Sequence, residues 1–322
     1  MLKYKDFINL NEGGNIFKGK TDKIPIDFIA PTLEKYYDEL GRLFPKKKNV
    51  FKQFTPVGSV GKKPMSGDID LAIDQSAFFP EKEVDAKTLK EWNIKESDFN
   101  KTYEKFKKRA RTATDADLRW RAFLKELGEY INKKSDLIYI ENKKTNAGNM
   151  FGLFPQYNEK NEEQEIGVQI DWMVGNLDWL MFSYYSDAPV KNVKGLHRTQ
   201  LMLAMFDAKG YGFNHVNGVK NKDTGETVAD NPNDATELLG DLYGSKLTQT
   251  TLQNYVNLHE FLKRNGSKKD YESVLDIFMK ILDSTRADIP WDMQDYWISV
   301  QDKLNLKGKF LPAESALNKY KK

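Results

Sequence analysis

Val57-Gly58-Ser59-Val60-Gly61-Lys62-Lys63-Pro64-Met65-Ser66-Gly67-Asp68-Ile69-Asp70-Leu71-Ala72-Ile73 is the stretch on which the reading of this chain turns. Its second half alternates. Ile69, Leu71 and Ile73 interleave with Asp68 and Asp70, the period of a half-buried strand. Side chains two apart on a strand leave the same face, so the two carboxylates are expected side by side. Such a pair repels and costs stability unless cations neutralise it. A hard divalent ion such as Mg2+ takes carboxylate and phosphate oxygens while keeping some of its water. Two such ions about 3.5–4 Å apart can clamp the attacking and leaving oxygens of an in-line phosphoryl displacement.

The first half of the stretch supplies what a phosphate needs. Val50–Val57 is rich in Val, Phe and Thr and reads as a strand, which Gly58-Ser59 ends. Glycine allows close approach of a phosphate to the backbone. The Ser59 hydroxyl can donate a hydrogen bond, and a helix starting here would add free amides and a positive end. Lys62 and Lys63 stand where cations can neutralise β- and γ-phosphates. Taken singly, an Asp-x-Asp pair is commonly a strand edge, Gly-Ser a loop and Lys-Lys a solvated turn. Their occurrence in this order, flanked by strand-like runs, is what carries information.

Outward from there, Ile24–Phe44 is expected to be a helix, with Ile29, Leu33, Tyr36, Tyr37 and Leu40 at helical spacing. Pro80–Asp117 is polar and reads as irregular helix, and Asp117–Ile131 as a better one. Leu137–Glu141 and Ile166–Val174 read as strands. In the latter, Ile166, Val168, Ile170, Trp172 and Val174 share one face, and Gln169, Asp171 and Met173 the other. The connection Asn142–Glu165 is rich in Gly, Asn and Glu, and suggests an extended hairpin or mobile loop. Beyond Asn176 the pattern turns helical, with Thr251–Lys263, Tyr271–Leu282 and Met293–Leu304 as clear examples. Lys209–Asn233 reads as a Gly- and Asn-rich loop. The expectation is an α+β protein with a mixed α/β domain over residues 1–190 and a mostly helical domain over residues 191–322.

Composition narrows the classes. With 39% apolar and 12% aromatic residues, the 322-residue chain can bury a core, which argues against disorder. It has no cysteine, so disulfides, thiolate metal sites and cysteine nucleophiles are excluded. No apolar run approaches the ~20 residues of a membrane span, and the N-terminus lacks the pattern of a signal peptide. A cytoplasmic protein without membrane contact is expected. Net charge is +3, but residues 101–134 hold eleven Lys or Arg against five Asp or Glu. A segment this basic can follow a phosphate backbone or be an ordinary solvated helix face. His197, His215 and His259 are far apart and make a poor zinc set.

The Val57–Leu71 segment resembles the signature of the nucleotidyltransferase superfamily that includes DNA polymerase beta, poly(A) polymerases, CCA-adding enzymes and antibiotic nucleotidyltransferases. Val57, Gly58, Ser59, Asp68, Ile69, Asp70 and Leu71 match it in order. The spacer from Val60 to Gly67 is slightly short for the family, which bears on Lys62 and Lys63 rather than on the acidic pair. The chain also looks like phage-encoded members through Gly13-Gly14-Asn15-Ile16-Phe17-Lys18 and Lys194-Gly195-Leu196-His197-Arg198; for such a member the location is the host cytoplasm.

The resemblance implies a polymerase-beta-like palm (a mixed sheet flanked by helices), a nucleoside triphosphate donor bound by Gly58, Ser59, Lys62 and Lys63, and two Mg2+ or Mn2+ ions. It also implies a third carboxylate on a later strand, and Asp171 is the candidate. Asp68, Asp70 and Asp171 are thus the expected catalytic and metal-binding residues. The expected reaction moves an NMP to an acceptor hydroxyl, with an RNA 3′ end gripped by segment 101–134 as first choice. A protein or small-molecule hydroxyl, or an inactive nucleotide-binding module, are the alternatives.

Overall fold

The computed structural model describes residues 16–17, 19–58, 60–79, 84–110, 115–145, 148–184, 195–214, 218–285 and 287–306. The chain divides into two compact units, Met1–Met181 and Phe182–Lys322. The division expected at residues 190/191 falls outside the described residues.

In the first unit, β1 (Ile24–Pro25) and α1 (Ile26–Leu43) lead through α2 (Lys48–Phe51) to β2 (Thr55–Val57), β3 (Met65–Ser66) and β4 (Ile69–Asp74). Helices α3 (Ala86–Glu91), α4 (Glu96–Lys107) and α5 (Asp115–Lys134) precede β5 (Tyr139–Ile140), β6 (Asn149–Tyr157) and β7 (Glu163–Gly175); α6 (Leu177–Ser183) follows. The main sheet has the order β2-β4-β7-β6-β5. It is mixed, with β4 and β7 parallel and the other neighbours antiparallel.

One face of this sheet is buried. Ile69, Leu71 and Ile73 of β4 lie beside Ile170, Trp172 and Val174 of β7, each at most 1% exposed. Helix α1 presents Ile29, Leu33, Tyr36, Leu40 and Leu43 to the same core, a spacing that lines one helical stripe. The Trp172 indole donates to the Tyr36 hydroxyl at 2.8 Å, which ties α1 to β7 and pairs these two buried polar groups. At the other end of β6, the Tyr157 N–H donates to Thr32 Oγ1 at 2.9 Å, and the Thr32 hydroxyl donates back to the Tyr157 carbonyl. Phe78, Phe79, Trp92, Trp120 and Phe123 extend the core between β4 and α5.

Two expectations are corrected here, and a third is decided between its alternatives. Val50–Val57 is not one strand, because Lys48–Phe51 is helical and only Thr55–Val57 pairs with β4. Phe51 and Phe54 both turn inward, 5.6 Å apart, and a separation of three residues suits a helical turn and not alternation. Of the two readings of the connection after Asn142, the extended hairpin is the one found: β6 pairs with β7 through a turn at Asn158–Glu162. Met150 and Gly152–Tyr157 are all buried, so no alternation marks the strand. In the second unit, Lys209–Asn233 is not a plain loop but holds the antiparallel sheet β8 (Tyr211–Asn214), β9 (Gly218–Asn221) and β10 (Thr227–Ala229). Gly210 and Gly225 take the positive φ that its turns require.

The helices among the described residues of the second unit are α7 (Gly195–Ala208), α8 (Pro232–Leu242), α9 (Gln249–Leu252), α10 (Tyr255–Asn265), α11 (Lys268–Thr285) and α12 (Gln294–Val300). Helix α7 is buried along most of its length and packs on α10 and α11. His197 and Arg198 are inside. His197 Nε2 lies 2.8 Å from the Asp288 carbonyl, and Arg198 donates to the carbonyls of Phe182, Ser183 and Leu252. No helix among the described residues is long and apolar enough to cross a membrane.

Candidate metal centre

The parallel pairing of β4 and β7 sets Asp70 directly opposite Asp171. Partners on one rung share a face, so both carboxylates leave the sheet on the side away from Leu71 and Trp172. Asp68 lies two residues before Asp70, just ahead of β4. One carboxylate oxygen from each of Asp68, Asp70 and Asp171 lies within 4.8 Å of the other two. Among the described residues this is the one acidic or histidine cluster with metal-holding geometry. The apolar anchoring of alternate residues under α1 fixes the two strands, and thereby the spacing of the acids.

The electrostatics are those of a site waiting for positive charge. Burial holds the Asp70 carboxyl well above the ordinary carboxylate range, and the neighbouring Asp68 and Asp171 push it further. Burial also raises Asp68. Asp171, only 6% exposed, is pushed up to about 8, mainly by burial and less by Asp68, with the Gln169 hydrogen bond opposing. The Gln169 amide donates to Asp171 Oδ2 at 2.8 Å. Asp171 Oδ1 is buried and has no hydrogen-bond partner among the described residues. A buried carboxylate oxygen without a donor is costly unless something fills the place. Hard oxygen donors carrying like charges suit Mg2+ or Mn2+, so the residues present fit such an ion.

Gly58 closes one side. Its φ is +66°, and a Cβ built on it would lie 2.8 Å from Asp70 Oδ2. The position therefore demands glycine twice, for the backbone conformation and for the carboxylate that comes against it. Ser59 lies outside the described residues. Lys62 is exposed and Lys63 partly so, on the turn between β2 and β3. No helix starts after Gly58, since residues 60–64 are turn and bend leading into β3. A helix end therefore contributes nothing at this position.

Asp74, on the same face of β4, has a structural task. It accepts from the Ser76 N–H at 2.7 Å and the Leu177 N–H at 3.3 Å. Nothing in the local pattern singles out Gln169, although alternation puts it on the Asp171 face. Its bond to Asp171 and its own link to the Ile16 N–H, which donates to Gln169 Oε1 at 3.3 Å, emerge only in three dimensions.

No protein-family model matches the chain, and no curated protein matches it.

Proposed function

We propose that this protein is a metal-dependent nucleotidyltransferase built on a palm-like sheet of the polymerase-beta type. The observation that carries the reading is the meeting of Asp68, Asp70 and Asp171 within 4.8 Å, with one buried oxygen left without a donor. Asp68, Asp70 and Asp171 would hold one or two Mg2+ or Mn2+ ions. Bound there, such ions supply neutralising charge to phosphate oxygens and lower the pKa of a hydroxyl. Gly58 lets the triphosphate approach the backbone, and Lys62 and Lys63 draw the β- and γ-phosphates. The acceptor hydroxyl oxygen bonds to the α-phosphorus, the bond from that phosphorus to the β-phosphate oxygen breaks, and pyrophosphate leaves. The hydroxyl proton passes to solvent. The protein contributes position and field and forms no covalent intermediate.

Nucleic acid is the favoured acceptor. Lys101, Lys105 and Lys108 recur along one exposed stripe of α4 and its end, with Arg109 beside them. Asp98 and Glu104 share this stripe, and the excess of basic over acidic side chains at its end is what suits a phosphate backbone. The test is incubation with each labelled nucleoside triphosphate, Mg2+ or Mn2+, and RNA, DNA or protein as acceptor. A labelled acceptor with equimolar pyrophosphate, lost in Asp70→Asn, supports the reading. Absence of transfer with every donor and acceptor contradicts it, and a labelled protein in place of nucleic acid would reassign the acceptor.

A further inference from the structure

We infer that Gln169 is a positioning residue that makes Asp171 a one-oxygen ligand, offering Oδ1 alone to the metal. The inference rests on the metal-centre reading and assigns a role to a residue outside the acidic set.

Gln169 is 3% exposed and both ends of its amide are engaged. Its Oε1 accepts from the Ile16 backbone N–H at 3.3 Å, and its Nε2 donates to Asp171 Oδ2 at 2.8 Å. The first contact fixes which way the amide faces. With the oxygen turned toward a backbone donor, the NH2 group can only point to the carboxylate. The second contact then occupies Oδ2 and sets the plane of the carboxylate. Oδ1 remains, buried and without a donor. A backbone group carries this information, so it does not depend on the identity of residue 16. Residues two apart on β7 share a face, which brings the two side chains within reach of each other.

The same arrangement explains why glutamine suits the position. A carboxylate at 169 would accept from Ile16 equally well but would add a fourth like charge beside the three aspartates. An apolar residue of equal length would free Oδ2 and let the Asp171 carboxylate rotate. Outer contacts that orient a metal ligand change affinity on the order of 10- to 100-fold when removed.

Gln169→Met keeps the side-chain length and removes both hydrogen bonds. The comparison variant is Tyr36→Phe, which removes the hydrogen bond to Trp172 on the opposite face of the same strand. Mn2+ binding to the nucleotide-free protein, followed by the paramagnetic signal of the free ion, is measured for both beside thermal denaturation. The expected result is a roughly 10- to 100-fold weaker Mn2+ affinity for Gln169→Met, with kcat lowered and KM for the triphosphate unchanged. Tyr36→Phe is expected to lower Tm while keeping Mn2+ affinity. In the unaltered protein, the Gln169 side-chain amide resonance should shift on Mg2+ addition, a readout that needs no variant. Equal Mn2+ affinity in Gln169→Met and the unaltered protein, or an amide resonance unmoved by saturating Mg2+, overturns the positioning role. No Mn2+ binding by the unaltered protein would overturn the metal centre itself, and this inference with it.

Discussion

At the scale of single residues, the candidate centre is a place where the fold concentrates negative charge against its own stability. Asp70→Asn removes one of the interacting carboxylates, so metal-free stability should rise while Mn2+ binding and transfer are lost. Denaturant titration in the presence of a chelator, paired with the transfer assay, checks both halves. Gly58→Ala should act in the opposite sense on stability. The new Cβ meets Asp70 Oδ2 at a 2.8 Å approach and the φ of +66° is strained for alanine, a cost of about 1–3 kcal/mol. The same substitution should depress transfer by displacing Asp70.

The acids also predict a pH dependence. Asp171 is pushed up to about 8 in the folded chain, against an unfolded value near 4. Between those values the native state binds more protons than the unfolded state, so metal-free stability falls as pH rises from about 4 to about 8. Mg2+ should therefore raise Tm more at pH 8 than at pH 5. A metal-free stability that climbed across this range would count against the buried, crowded acids described here.

At the scale of elements, the strands carrying the acids were legible and the strand between β5 and β7 was not. Asp68 and Asp70 sit in one short alternating run that local pattern makes legible, whereas Asp171 is singled out by the family resemblance, which implies a third carboxylate on a later strand. The pairing that sets Asp70 opposite Asp171 is parallel and spans about a hundred residues, which no local pattern encodes. Strand β6 is buried on both faces and carries Gly152 and Pro155, so it shows neither alternation nor typical strand composition. Strands β8 to β10 are only three or four residues long and are punctuated by turn glycines, which hid them in a Gly- and Asn-rich run. The burial of Arg198 is not legible locally, because a helix buried on most sides has no polar stripe to reveal which face is outward. The link between α1 and β7 is testable at this scale. Tyr36→Phe leaves the Trp172 indole N–H buried without its acceptor and should cost about 1–3 kcal/mol in denaturant titration.

At the scale of the whole molecule, charge is unevenly distributed although the net value is only +3. The basic stripe on α4 belongs to the first unit, the same unit that carries the aspartates. If that stripe follows a nucleic-acid backbone, a Lys101→Glu, Lys105→Glu, Lys108→Glu variant should bind single-stranded RNA more weakly and with a shallower salt dependence. The slope of log K against log salt should fall by about 0.7 for each phosphate that the variant leaves without a lysine. An unchanged slope would return the stripe to the role of a solvated helix face.

The central claim is that three aspartates from two strands and the bend before one of them hold divalent metal beside a triphosphate. Anomalous diffraction from crystals grown with Mn2+ and a non-hydrolysable nucleoside triphosphate tests it most directly. The account predicts a manganese peak about 2.1–2.2 Å from an oxygen of each of Asp68, Asp70 and Asp171, with Asp171 contributing Oδ1. Triphosphate density without manganese at these carboxylates, or manganese bound elsewhere alone, would contradict it.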